Sequence, residues 1–217
     1  TLIYLKNELG IKLINWSSDD SWRFNQHSEI ISQYLDVMIT TSIDAHKYYK
    51  NNDKKSILAS WGCPDHWFQK PKKHTECKRD IIFIGQRYFD REKFITKLKE
   101  KFNVECYGKG WSNPSLKDSE VSNYLRDSKI SLNFSKSRGK KKQTKARIFE
   151  ICGSGGFCLT ENSSELERFY SNSELDYFTN TSELLDKIEK YLKNGKLRDK
   201  MALKGNKKTK LYSYSRI

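Results

Sequence analysis

Arg147 and Glu150 stand three residues apart in a stretch with helical apolar spacing, so they share one helix face. Such a pair has two readings. It is a plain i,i+3 salt bridge, or it offers a cation to phosphate oxygens and a carboxylate to ribose hydroxyls. Just downstream, Gly153-Ser154-Gly155-Gly156 leads into the strand-like Phe157-Cys158-Leu159-Thr160. Just upstream, residues 135–145 form the densest basic stretch of the chain, with Lys136, Arg138, Lys140, Lys141, Lys142 and Lys145. A basic loop that feeds a helix N-terminus favours an anion by charge and by dipole. A solvated lysine loop is the competing reading.

A second group follows the apolar run 81–84, as Gly85-Gln86-Arg87-Tyr88-Phe89-Asp90-Arg91. A glycine at a strand end lets backbone approach a ligand, and Arg87 and Arg91 could each fork onto phosphate oxygens. An ordinary tight turn with exposed arginines accounts for the same residues. Asp19-Asp20 follows a strand ending at Trp16, where a carboxylate could act as base for a hydroxyl. Asp20 also suits a helix N-cap, which stabilises by roughly 1 kcal/mol. His27 is a weaker candidate for similar work.

These residues need elements to hold them. Strand patterns fall at 11–16, 36–40 and 56–59, alternating with helical patterns at 22–35 and 43–49. A polar, basic stretch over 69–79 contains Pro71 and reads as a linker at 71–79. Beyond it, strands at 81–84, 104–107, 130–134, 157–160 and near 177 alternate with helices at 91–102, 121–126, 144–152, 182–192 and 197–211, with a short helix near Leu166. Strands alternating with helices predict parallel sheets, one before about residue 70 and another after about residue 80. In such sheets, ligands sit beyond the carboxyl ends of strands, which directs attention to the loops after Trp16, Ile84, Tyr107, Phe134 and Thr160.

The 217 residues carry 41 Lys and Arg against 27 Asp and Glu, a net +14. That surplus favours an anionic partner: nucleic acid, a membrane surface or a phosphorylated small molecule. With 13% aromatic residues, the chain is not a disordered tail. No apolar run reaches the roughly 18 residues of a membrane span, and the N-terminus has no signal-peptide layout. It has no starting Met either, so the chain reads as a possible fragment. Five scattered cysteines fit a reducing compartment, and the expected location is cytoplasmic.

In order and spacing, these motifs resemble the GT-B glycosyltransferases. The matching residues are Phe83-Ile84-Gly85 with Arg91, Tyr107-Gly108 with Gly110-Trp111, Ser131-Leu132-Asn133-Phe134, Arg147 with Phe149-Glu150, Gly153 with Gly156, and Thr160-Glu161. Asp19-Asp20 and Trp61-Gly62 are similar too. The likeness is greatest to spore-maturation-protein-like enzymes, related to glycosyltransferase family four. It implies two Rossmann-like lobes with parallel sheets: a partial acceptor-side lobe over 1–70, the linker 71–79, and a donor lobe over 80–217. It also implies that the final helix packs back towards the first lobe.

The resemblance further implies a hexosyltransferase-like enzyme that moves a sugar from a nucleoside diphosphate to an acceptor, with no metal and no cofactor. Glu150 would hold ribose hydroxyls. Gly85, Arg87 and Arg91 would cradle the diphosphate, with Tyr107 and Gly153 completing the donor site. Lys145 or Arg147 would add positive charge as the phosphate leaves, and Asp20 would serve the acceptor. Asp20, Arg87 and Lys145 are thus the expected catalytic residues.

Two features depart from the family. Many retaining relatives carry a second Glu eight positions before the ribose-binding one, where this chain has Lys142. The first lobe also shows about three strands where the fold normally has six or more. Two rival readings follow: a nucleic-acid-binding α/β protein, and a non-catalytic module that binds sugar nucleotide or glycan. A stable nucleic-acid complex is not expected.

Cys63, His66, His74 and Cys77 have a spacing that resembles half of a structural zinc site, yet neither side shows the usual paired cysteines. The expectation is that they bind no zinc. Metal analysis of protein purified without chelator or metal-affinity resin checks this. One equivalent of zinc, lost on Cys63→Ala, would overturn it.

Overall fold

The structure is a computed structural model, and it describes residues 1–136 and 141–217. Its backbone divides into two compact units: Thr1–Trp61 with Lys136–Gln143, and Gly62–Ser135 with Thr144–Ile217. Each has its own parallel sheet.

The smaller unit begins with helix α1 (Leu2–Asn7). Strands β1 (Ile14–Ser17), β2 (Val37–Thr40) and β3 (Ser56–Leu58) then pair in sequence order, with Trp16 opposite Ile39 and Ile39 opposite Ile57. One sheet face buries Met38 against Ala45 and Tyr49 of α4 (Ile43–Asn51), with Phe24 and Tyr48 packed alongside. Ile14, Trp16 and Ile57 are exposed. The helix expected over 22–35 is broken into α2 (Asp20–Arg23), a 3-10 turn at Phe24–Gln26 and α3 (Ser28–Ser32). Serine and asparagine are weak helix formers, and His27 leaves helical geometry at φ −142°. Ser28 then points its hydroxyl at Ser17, which pins the break to the end of β1.

The larger unit follows its sequence pattern closely. Strands β4 (Arg79–Ile84), β5 (Val104–Tyr107), β6 (Ser128–Asn133), β7 (Cys158–Glu161) and β8 (Asp176–Phe178) form a sheet in the order β5-β4-β6-β7-β8. Helices α5 (Phe89–Lys99), α6 (Asp118–Arg126) and α7 (Ala146–Gly153) make returns between strands, and α8 (Thr181–Lys193) and α9 (Gly195–Thr209) follow β8. Ile81, Phe83, Ile130, Leu132, Phe157 and Leu159 alternate along the strands into a core shared with Ile95, Leu184 and Met201 of the helices. The chain winds one way from β4 to β5 and the other way from β6 to β8. The order therefore reverses between β4 and β6, which places the ligand crevice of this sheet type beyond Ile84 and Asn133.

Residues 71–79 run along this larger unit, and the compact division falls at Trp61 and Gly62 instead. Arg198 of α9 is completely buried and fixes that stretch. Its guanidinium donates to the carbonyls of Lys129 (2.7 Å), Ser128 (2.8 Å) and Lys72 (2.9 Å). Asn206, two turns later, donates to the carbonyls of Gln69, Cys152 and Gly153. The last helix packs on α7, and the tail beyond it pairs Tyr212 and Tyr214 with Cys63. These contacts of the tail fall at Gly62 and Cys63, within the larger unit itself.

Removing Arg198 leaves three buried carbonyls without a donor and a void where the side chain lay. Arg198→Ala is expected to cost roughly 3–5 kcal/mol, read from the urea midpoint of the full chain. Lys200→Ala, on the exposed side of the same helix, should shift it by less than about 0.5 kcal/mol.

Candidate functional site

The loop after β4, at the reversal point, is joined to its neighbour after β5. Gly85 N–H donates to Tyr107, Arg87 N–H to Lys109, and the Trp111 indole to Gly85, at 2.9 Å each. Gly108 adopts φ +123°, and a side chain there would meet the Gly85 carbonyl at 2.7 Å. Glycine at 108 therefore serves the close approach of these two loops, whereas a side chain at Gly85 would meet the Phe83 ring at 2.9 Å. Arg87 donates to the Gly110 carbonyl at 3.2 Å, pairs with Glu92 and lies over the Trp111 ring. Arg91 donates to the Gln86 carbonyl at 3.1 Å and lies near the faces of Phe83 and Tyr88. Burial holds its guanidinium below its usual pKa, while Tyr88 and Glu161 act in the opposite direction. Gly85, Arg87 and Arg91 are thus gathered on one side of the crevice.

The first turn of α5, reached through this loop, carries its own acids, Asp90 and Glu92. Those charges already answer the helix dipole. Helix α7 differs: its first turn has no acid, and Lys145 at its N-cap makes no side-chain cap bond. Two cationic residues, Lys145 and Arg147, stand at this end. Of the two helix starts flanking the crevice, α7 is electrostatically the better seat for an anion.

One turn further on, Glu150 Oε2 lies 2.8 Å from Arg147 Nη1. The contact lacks hydrogen-bond alignment, so Nη1 is buried without a bonded acceptor. Burial raises the Glu150 carboxyl above its usual pKa, Arg147 opposes that, and Asp118 adds to it. Asp118 opens α6, immediately after the loop from the carboxyl end of β5, so Glu150 lies towards the same edge of the sheet.

Beyond β6 and β7, buried polar groups form a ladder. Asn133 donates to Thr160 (2.8 Å), the Ser135 N–H donates to the Glu161 carboxylate (3.0 Å), and Thr144 and Ser163 share a bond (3.1 Å). Glu161 is the last residue of β7, beside β6, and its carboxylate accepts the Ser135 N–H.

Two further expected donor residues are engaged by other parts of the protein. The Tyr107 hydroxyl donates to Glu105, two residues back on the same strand face, at 2.7 Å. Burial, with Glu105 beside it, pushes its pKa up to about 12. Gly153 is buried, and a side chain there would meet Cys63 Sγ at 2.3 Å. Its glycine is required by packing against the 62–68 segment. Of the basic loop, Ser137, Arg138, Gly139 and Lys140 lie outside the described residues.

Asp20 lies in the smaller unit, in a pocket of about 110 Å³ with Asp19, Arg23, His27, Ser17 and Ser28 on its walls. It is the first residue of α2, with Asp19 at the N-cap, and neither residue makes a side-chain cap bond. Asp20 is 4% exposed, and its Oδ1 has no hydrogen-bond partner. Burial raises its carboxyl pKa, and the hydroxyls of Ser28, Thr40, Tyr49 and Ser17 counter this in part. The Cys63 and Cys77 thiols are buried and donate to the Pro64 and Lys73 carbonyls, while His66 is exposed beside Asp118. Among the described residues, no three His, Cys, Asp or Glu side chains are arranged to hold a metal ion.

Among solved structures, the chain is similar to larger proteins, among them the following. For the GtfA/B complex the TM-score is 0.62 at 14% identity, over 94% of this chain and 50% of that one. For TarM of S. aureus, solved with fondaparinux, alpha-GlcNAc-glycerol and UDP, it is 0.62 at 15%, over 84% and 42%. For sucrose-phosphate synthase from Thermosynechococcus elongatus it is 0.63 at 11%, over 92% and 60%. The chain thus spans about half the length of these proteins, and the likeness is one of fold: GT-B-like α/β, with two Rossmann-like lobes and a short first lobe. No curated protein matches the sequence. Residues 87–216, more than half of the chain, match the family described as glycosyl transferase-like, and it is to this family that the chain belongs.

Proposed function

We propose that the larger unit binds a nucleoside diphosphate sugar, and that the protein transfers the sugar to an acceptor without a metal or other cofactor. Within the family, we place it on the spore-maturation-protein-like, family-four-related branch, as a hexosyltransferase. The observation that carries the reading is the start of α7. A helix N-terminus free of acids, flanked by Lys145 and Arg147, is followed one turn later by the partly buried carboxylate of Glu150. UDP in the similarly folded TarM structure supports a diphosphate ligand.

In this mechanism the diphosphate lies against the start of α7, with Lys145 and Arg147 taking up charge as the sugar bond breaks. Glu150 accepts the two ribose hydroxyls. Gly85, Arg87 and Arg91 border the phosphates from the other side of the crevice, and Arg87 exchanges Glu92 for a phosphate oxygen. Tyr107 and Gly153 shape the surrounding backbone. Asp20, with an unpaired oxygen in its own pocket, takes the proton of an acceptor hydroxyl, whether glycan, protein or small molecule. Lys142, in place of the second Glu of many retaining relatives, favours one alternative: a module that binds the donor without transferring the sugar.

Calorimetric titration with uridine and guanosine diphosphates tests the donor site. Glu150→Gln is expected to weaken binding roughly tenfold or more, since each charge-assisted bond contributes about 1.5–3 kcal/mol. Arg147→Ala should weaken nucleoside diphosphate more than nucleoside. Unchanged affinity in Glu150→Gln would reduce the pair to a surface ion pair.

Asp20 generates a pH-dependent expectation. Its folded-state pKa is raised, so the folded chain holds the proton more tightly than the unfolded chain. Ionising it therefore costs stability as pH rises from about 4 through the raised value. Asp20→Asn is expected to melt at a higher temperature than wild type at neutral pH, with the gain vanishing below about pH 4, while sugar transfer is lost. A lower melting temperature at neutral pH would show that the ionised carboxylate is structural.

A further inference from the structure

Helix α9 divides into two unlike sides. Arg198, Ala202, Gly205, Asn206 and Thr209 are buried. A side chain at Gly205 would meet the Glu174 carbonyl at 2.4 Å, and Arg198 and Asn206 are each tied to three backbone carbonyls. These contacts fix the rotation of the helix, so the opposite side is held towards solvent.

That side is basic and apolar together. At 100° per residue, Lys196, Lys200, Leu203, Lys204 and Lys207 fall within an arc of about 100°. Leu203 is 61% exposed, and Leu211, in the 3-10 turn that continues the helix, is 55% exposed. Over residues 195–212, seven cations stand against one acid, a net +6 of the chain's +14. That acid, Asp199, is turned to Arg198 and the His74 N–H. Among the described residues, no carboxylate pairs with the six lysines of this segment. Leucines inside a lysine arc match an anionic lipid surface, where apolar side chains enter the interface and ammonium groups meet headgroups. A nucleic-acid strand would be met better by arginine forks and aromatic platforms, and this arc has neither.

We propose that the outer face of α9 docks the protein, helix axis parallel to the surface, onto a membrane rich in anionic lipid. The proposal is independent of the sugar-transfer reading. Co-sedimentation of the full chain is compared on vesicles of pure phosphatidylcholine and of an equimolar mixture with phosphatidylglycerol. Binding is expected on the mixed vesicles only. K200Q/K204Q/K207Q should weaken it by roughly 100-fold, at about fivefold per lysine. K47Q/K50Q/K55Q removes the same charge from the smaller unit and should change it little. L203S/L211S should weaken vesicle binding while leaving retention on a DNA duplex unchanged. Circular dichroism and melting temperature confirm that each variant folds. Equal losses in both lysine triples would show that net charge alone is responsible and would overturn the proposal. So would no binding to the mixed vesicles at physiological salt, or α9-dependent binding to the duplex alone.

Discussion

The buried guanidinium of Arg198 is the interaction on which the larger unit's arrangement rests. A charged group without solvent must find acceptors on every side, and here the acceptors are backbone carbonyls at the start of β6 and in the returning stretch at Lys72. Three bonds from one rigid fork fix the angle between α9, the sheet and that stretch. Asn206 then carries the same constraint to the other end of α9, where it holds the last carbonyls of α7 and that of Gln69. Through these two side chains, one helix locates the 62–73 segment against α7. Cys63 consequently comes so close to Gly153 that no side chain fits there.

The chemistry gathers at one edge because of how a parallel sheet is connected. Every strand leaves the sheet at the same edge, and only where the order reverses do two departing loops turn apart and leave a crevice. In this unit those are the loops after β4 and β6. The first is held to its neighbour after β5 by Gly85, Gly108 and the Trp111 indole, so its backbone is already committed. The acids of α5 compensate that helix's dipole, whereas α7 begins beside Lys145 with no acid in its first turn. The anion-binding capacity of the crevice is therefore weighted to the α7 side.

The sequence pattern was most legible where burial was complete. In the larger unit, apolar runs such as Ile81-Ile82-Phe83-Ile84 and the helical spacing of α8 set their elements to within two or three residues, because each must cover a core. The smaller unit was read less well. Its apolar residues from 22 to 35 have helical spacing, but the helix breaks at His27, where Ser28 turns its hydroxyl to Ser17 of a neighbouring strand, a contact that no period reveals. Within the candidate site, Arg147 and Glu150 were legible because i,i+3 spacing fixes their proximity. Gly153 and Tyr107 were not. The partners that claim them, Cys63 and the Glu105 carboxylate, become visible only when distant segments and strand faces are assembled.

The energetics of the Arg147–Glu150 pair bear on why it is there. Both side chains are largely withdrawn from water, with 26% and 18% of their surfaces exposed. A pair of that kind must recover the cost of desolvating two charges through well-formed bonds. This one does so poorly: the contact is unaligned, Arg147 Nη1 has no bonded acceptor, and burial has already moved Glu150 towards its neutral form. A well-packed apolar pair of similar volume would serve the fold as well or better. Asp20 presents the same imbalance, with a raised pKa and an unpaired buried oxygen on the wall of a pocket. At both places the chain holds a polar group whose bonding capacity the protein itself does not use. In the larger unit, two hydroxyls at Glu150 and phosphate oxygens at Arg147 would complete those bonds, and in the smaller unit, taken by itself, a hydroxyl at Asp20 would do the same.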